Sequence, residues 1–130
     1  MNPDAAIAQL ETQALKPGAF RHRDHVRMAW NYLQRFPLAT AIDRYARALR
    51  AFATDAGHPE KYHETITWAY MLLVNERIQT AGPQSWDAFA DDNPDLFCWP
   101  GGALERYYTR VTLDSPRARE TFMMPDRIAP

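Results

Sequence analysis

The chain has 130 residues, enough for one domain around a single core, and 1–130 is expected to be a single helical domain. A hydrophobic fraction of 46% beside a charged fraction of 24% excludes wholesale disorder and a fibrous repeat. Fifteen Lys and Arg residues are interspersed with sixteen Asp and Glu residues for a net charge of −1, so no basic stripe tracks a phosphate backbone and nucleic acid is not an expected partner.

Cys98 is the only cysteine, which rules out an intramolecular disulfide and a cysteine-based zinc cluster and suits a reducing compartment. The start, Met1-Asn-Pro-Asp-Ala-Ala-Ile-Ala, lacks the basic, then apolar, pattern of a signal peptide. No run approaches the roughly eighteen apolar residues of a membrane span. A cytoplasmic protein without a membrane partner is expected. No nucleotide or flavin motif is present, and the oligomeric state is left open.

In chain order, Asn2 as cap and Pro3 as first-turn proline start helix one, whose stripe Ile7, Leu10, Ala14 stops at Lys16-Pro17-Gly18. Helix two begins near Phe20 and His22 and runs to about Gln34, because Phe36 precedes Pro37 and so avoids the α region. On a helical wheel His22, His25, Val26, Ala29, Trp30 and Leu33 fill one arc of roughly 140°, with Arg23, Asp24, Arg27 and Asn31 opposite. Helix three, 38–56, carries Leu38, Ala41, Ile42, Tyr45, Leu49 and Phe52 at spacings of three and four, with Arg44, Arg47 and Arg50 outside and Gly57 ending it.

The segment 61–80 is apolar almost all round, from Ile66 to Ile78, as in a central buried helix. Gly82-Pro83 breaks it, and Ser85 caps a short helix that ends in Asp91-Asp-Asn-Pro-Asp. Leu96-Phe-Cys-Trp99 reads as an apolar plug in which Cys98 is a small buried hydrophobe. Residues 103–110 read as helical, and Ser115-Pro116 starts a last helix running to about Met123. No stretch alternates as a strand. The expected fold is an all-α, single-domain bundle of about five helices around the helix 61–80, with helix two beside it.

Chemistry centres on His22-x-x-His25, two inward imidazoles that need hydrogen-bond partners, a metal or a ligand. A duller reading makes His22 the N-cap and His25 the third residue of the helix. His63, at the head of the next long helix with Thr67 and Tyr70 on its strip, is a third candidate. Were the three to converge, His22, His25 and His63 would either bind a divalent metal with an open position or act with Tyr70 as acid–base groups. Asp91-x-Asn93-x-Asp95 opens like a calcium loop, but Leu96 stands where glycine belongs, and that reading is rejected. Tyr107 and Arg110 are placed to close over a ligand, with Arg110 clamping a carboxylate.

The set Phe20-x-His22-x-x-His25-Val26-x-x-Ala29-Trp30, Tyr62-His63-Glu64-Thr65 and Arg106-Tyr107-Tyr108 with Ser115-Pro116-x-Ala118-Arg119 and Phe122 resembles an uncharacterised family of small bacterial all-helical proteins. That resemblance covers most of the chain and implies membership, but brings no activity, cofactor or substrate.

The leading expectation is a small enzyme acting on a small organic molecule, with His22, His25, His63 and Tyr70 catalytic and Tyr62, Trp30, Tyr107 and Arg110 binding substrate. On that reading His25→Asn or His63→Gln leaves the melting temperature nearly unchanged or raises it, and abolishes ligand binding or turnover. The rival is a non-catalytic helical binding or accessory module whose histidines cap helices and whose row Arg44, Arg47, Arg50 offers a partner face.

Overall fold

Seven α-helices and no strand make up the described residues, so the fold is all-α as expected. The computed structural model describes residues 2–127; Met1 and residues 128–130, the ends of the expected span, lie outside them. No helix among the described residues is long and apolar enough to cross a membrane. They divide between Tyr62 and His63 into two compact units, each taken here by itself.

In the first unit, Asn2 Oδ1 accepts the Ala5 N–H at 2.8 Å and Pro3 opens α1 (Pro3–Glu11). The helix stops short of Ala14, because Gln13 turns left-handed at φ 61° and the Ala14 N–H folds back to the Gln9 carbonyl at 2.9 Å. Only Ile7 and Leu10 of the expected stripe are therefore buried on it.

Helix α2 (His22–Arg35) begins one residue differently from the duller reading: Arg21 is the N-cap and His22 the first helical residue. Asp24, third in the helix, turns its carboxylate back to the Arg21 N–H at 2.9 Å, a half capping box that fixes this register. Val26, Ala29 and Trp30 are buried as expected, but so are Met28, Asn31 and Tyr32. The burial of Asn31, expected outside, corrects the narrow-arc reading. Helix α2 packs on both α1 and α3 (Leu38–Asp55), so a wider part of its circumference is covered.

Polar contacts cross-link these helices. The Tyr32 hydroxyl donates to Glu11 at 2.9 Å, and Arg44 grips the same carboxylate at 2.6 Å while its guanidinium lies 4.2 Å from the Phe36 ring centre. Arg47 pairs with Asp43 at 2.9 Å, and Arg50 lies over the Tyr62 ring at 4.7 Å. The arginine row is thus engaged within its own unit.

In the second unit the long helix is α4 (Glu64–Ala81). It starts three residues later than expected, since Pro59–Lys61 forms a separate 3-10 turn and His63 is the cap. Tyr70 and Ala69 of α4 join Leu104, Tyr108 and Leu113 in a buried cluster. Each such apolar side chain contributes roughly 1.5–3 kcal/mol by leaving water. Ser85 Oγ caps α5 (Trp86–Asp92) by accepting the Ala88 N–H at 3.1 Å.

The would-be calcium residues are spent structurally. Asp95 receives both guanidinium nitrogens of Arg77, at 2.9 and 2.8 Å, and Asn93 Oδ1 takes a third bond at 2.8 Å. Beyond them the chain doubles back so tightly that a Cβ on Gly102 would collide with the Cys98 carbonyl and come within 2.6 Å of the Asp95 carbonyl. That fold buries Leu96 but turns Cys98 and Trp99 outward, so Cys98 is exposed rather than a buried hydrophobe.

Residues 103–110 do not form one helix. A 3-10 turn, Ala103–Arg106, is followed by extended Thr109, whose Oγ1 caps α6 (Arg110–Leu113) through the Thr112 N–H at 3.3 Å. Ser115 caps α7 (Pro116–Glu120) as expected, but α7 ends before Met123 because Thr121 is extended at φ −141°.

Candidate functional site

His63 Nδ1 accepts the Ile66 N–H at 3.1 Å and its Nε2 lies 2.7 Å from the Leu113 carbonyl, so the proton sits on Nε2 and the ring is neutral. Burial lowers its pKa, with the Leu113 bond working the other way. Both nitrogens are occupied, and an acid–base or metal-binding role would first have to displace one of them.

His25 lies in the first unit, stacked on Phe20 with ring centres 4.0 Å apart. Burial foremost, then neighbouring His22, pushes its pKa down to about 4 against a weaker pull from Asp24. The ring is uncharged at neutral pH, and its backbone carbonyl accepts the Tyr45 hydroxyl at 2.9 Å. His22 is half-buried on the same turn. Among the described residues no group of three or more His, Cys, Asp or Glu side chains is arranged to hold a metal ion.

The remaining expected site residues fall in both units. Trp30 is buried and Tyr62 half-buried under Arg50 in the first unit. In the second, Tyr70 belongs to the buried cluster, and burial, then Glu105 and Asp95, raises its phenol pKa. Arg110 is exposed, 3.6 Å from Glu105 and 5.5 Å from the centre of the Trp99 ring.

Tyr107 is the one of these residues that borders an open apolar cleft of about 280 Å³ in the second unit. Three stretches line it: Ala69, Leu72 and Leu73 of α4; Leu104, Tyr107 and Tyr108 in and after the 3-10 turn; and Phe122, Met124 and Pro125 after α7. The polar side-chain atoms in this set are the two phenols and the Met124 thioether. The Tyr108 hydroxyl is committed, donating to the Met123 carbonyl at 2.6 Å, and burial raises its pKa to about 12. Leu72 at 39% and Met124 at 75% relative exposure present apolar surface to solvent.

Sequence reasoning missed this stretch because it placed Phe122 in the last helix, which ends at Glu120, and because Met124 and Pro125 lie in irregular chain, where periodicity carries no signal. The exposed side of α4 was visible as surplus apolar residues on a helix hydrophobic all round. No known protein family, curated protein or solved structure matches the chain.

Proposed function

We propose that the chain is a binding module whose second unit takes a small apolar molecule in the cleft between α4, the 3-10 turn Ala103–Arg106 and the segment after α7. The observation that carries the reading is a cleft of about 280 Å³ with nine lining residues, no ionisable group but two phenols, and two large apolar side chains left open to water. Its volume, about 280 Å³, falls just below the roughly 300–1,000 Å³ of ligand sites. So small a volume suits a compact molecule better than a helix. In this reading His63 is structural, which its two occupied nitrogens support. Small-molecule binding and the role of Tyr107 survive from the sequence-based expectation, without histidine chemistry.

Titration of the protein with n-hexanol, followed through ¹³C-labelled methionine methyl groups, tests it. The Met124 methyl resonance is expected to shift saturably while that of buried Met71 does not, and Leu72→Glu is expected to abolish the shift without loss of helicity. Absence of a saturable Met124 shift sinks the proposal.

One observation favours catalysis as a second reading. His22 and His25 share the first turns of α2, with His25 stacked on Phe20 at 4.0 Å between ring centres, and burial lowers the pKa of that ring, as happens to groups at functional sites. Under it, His25→Asn removes turnover of a small substrate and leaves hexanol binding intact.

A further inference from the structure

Three of the cleft's side chains, Phe122, Met124 and Pro125, come from one irregular segment, 121–127, fastened at two places. Upstream, buried Thr65 donates its hydroxyl to the Thr121 carbonyl at 2.9 Å and accepts the Met123 N–H at 3.1 Å, beside the Tyr108 bond to Met123. Downstream, one carboxylate gathers three donors. Asp126 Oδ1 accepts the Thr109 N–H at 2.9 Å, and Oδ2 accepts the hydroxyls of Thr109 and Thr112 at 2.7 and 2.8 Å. Arg127 adds an N–H bond to the Tyr107 carbonyl at 2.9 Å and a guanidinium bond to the Glu105 carbonyl at 2.7 Å.

Between the fastenings Met124 and Pro125 bridge the cleft's edge. Pro125 has no N–H to donate, and Met124 is 75% exposed, so this bridge owes its position mainly to what holds its ends. Only two residues separate the held Met123 and Asp126, so few backbone torsions are free to move the bridge once both are fastened. Bonds to a carboxylate are also the stronger kind, roughly twice a neutral pair. Met124 itself, with three rotatable bonds and a polarisable sulfur, is a wall that adapts to what lies against it.

We propose that Asp126 is the positioning residue of the cleft: by tying segment 121–127 to Thr109 and Thr112 it sets the height of the wall formed by Met124 and Pro125, and so selects apolar molecules by length. This rests on the ligand reading above. Short molecules need the wall close. Longer ones gain when it moves out.

The test compares n-hexanol and n-decanol in the wild type, Asp126→Ala and the near-isosteric Asp126→Asn by the methionine-methyl titration. Expected is a loss of hexanol affinity of about fivefold in Asp126→Ala, the amount that losing part of one apolar wall brings, with decanol affinity held or raised. Asp126→Asn, which keeps one acceptor oxygen, is expected to fall between, and serves alone if the alanine variant does not fold. A lowered melting temperature with an unchanged hexanol-to-decanol ratio overturns the positioning role and leaves the cleft as a binding site. Absence of hexanol binding to the wild type removes both.

Discussion

His63 and Ile66 are joined by a bond that only a neutral imidazole can make: the Ile66 N–H points at His63 Nδ1 from 3.1 Å, and the opposite nitrogen is tied to Leu113 at 2.7 Å. One side chain thus starts α4 and ties its first turn to the end of α6. Removing it by His63→Ala loses a cap, typically about 1 kcal/mol, and strands a carbonyl, about 1–3 kcal/mol more. Thermal unfolding of this variant should show a melting temperature lower by several degrees. His63→Asn, which can still cap, should lose less. His63→Gln is expected to lower the melting temperature as well, the reverse of the outcome expected for a catalytic ring.

Acid should destabilise the fold through its buried histidines. His25 has its pKa lowered to about 4 from 6.5, and that of His63 is lowered too, burial being the first cause in each. A base whose folded pKa is depressed gives up stability as pH falls, because the unfolded chain takes the proton first. The loss begins near 6.5 and, for His25, is complete near 4, with a ceiling of ~3 kcal/mol at 1.36 kcal/mol per unit. Urea midpoints measured from pH 7.5 to 4.5 should decline in the wild type and decline less in His25→Leu. Equal slopes for the two proteins would show that His25 is not the group responsible.

The bidentate hold of Arg77 on Asp95 is partly shielded, with side-chain exposures of 26% and 23%. The hydrogen bond from Arg77, more than anything else, lowers the Asp95 pKa. Arg77→Met leaves that carboxylate with Arg106 alone, at 3.3 Å, and is expected to cost about 1–3 kcal/mol in chemical denaturation. Arg77→Lys should recover little of it, since an ammonium cannot reproduce the planar fork.

Gly102→Ala should be among the most costly single methyl additions in this chain. Its Cβ would meet two backbone carbonyls, of Cys98 and Asp95, neither of which can swing aside as a side chain can. A loss of about 1–3 kcal/mol is expected, the usual range for overpacking. Gly18→Ala, where a Cβ meets nothing within 4 Å, is the matched control and should be nearly silent.

How much of this the sequence disclosed depends on whether the signal was local. Asn2, Ser85 and Ser115 announced three helix starts correctly, because a cap is a contact within four residues. Gln13 gave no warning of its left-handed turn, and 103–110 looked continuous because nothing in it marks Thr109 as extended. The histidines were rightly picked out as needing partners. For His63 the partner is a carbonyl fifty positions away, which is tertiary information, whereas the Phe20 ring that stacks on His25 lies only five positions from it and belongs to the same local stretch. The cleft was least legible of all, since a third of its lining follows the last helix.

Thr65 carries a last consequence. Its hydroxyl, wholly buried, both gives a hydrogen bond to residue 121 and takes one from the Met123 amide. In deuterated solvent an amide in irregular chain ordinarily exchanges fast, through small local openings. That of Met123 should instead exchange at the pace of α4 itself, because freeing it means pulling a buried threonine from its acceptor. By the clock of exchange, the stretch after α7 belongs to the helix it crosses, and a protease that cuts exposed tails should find little purchase there while α4 stands.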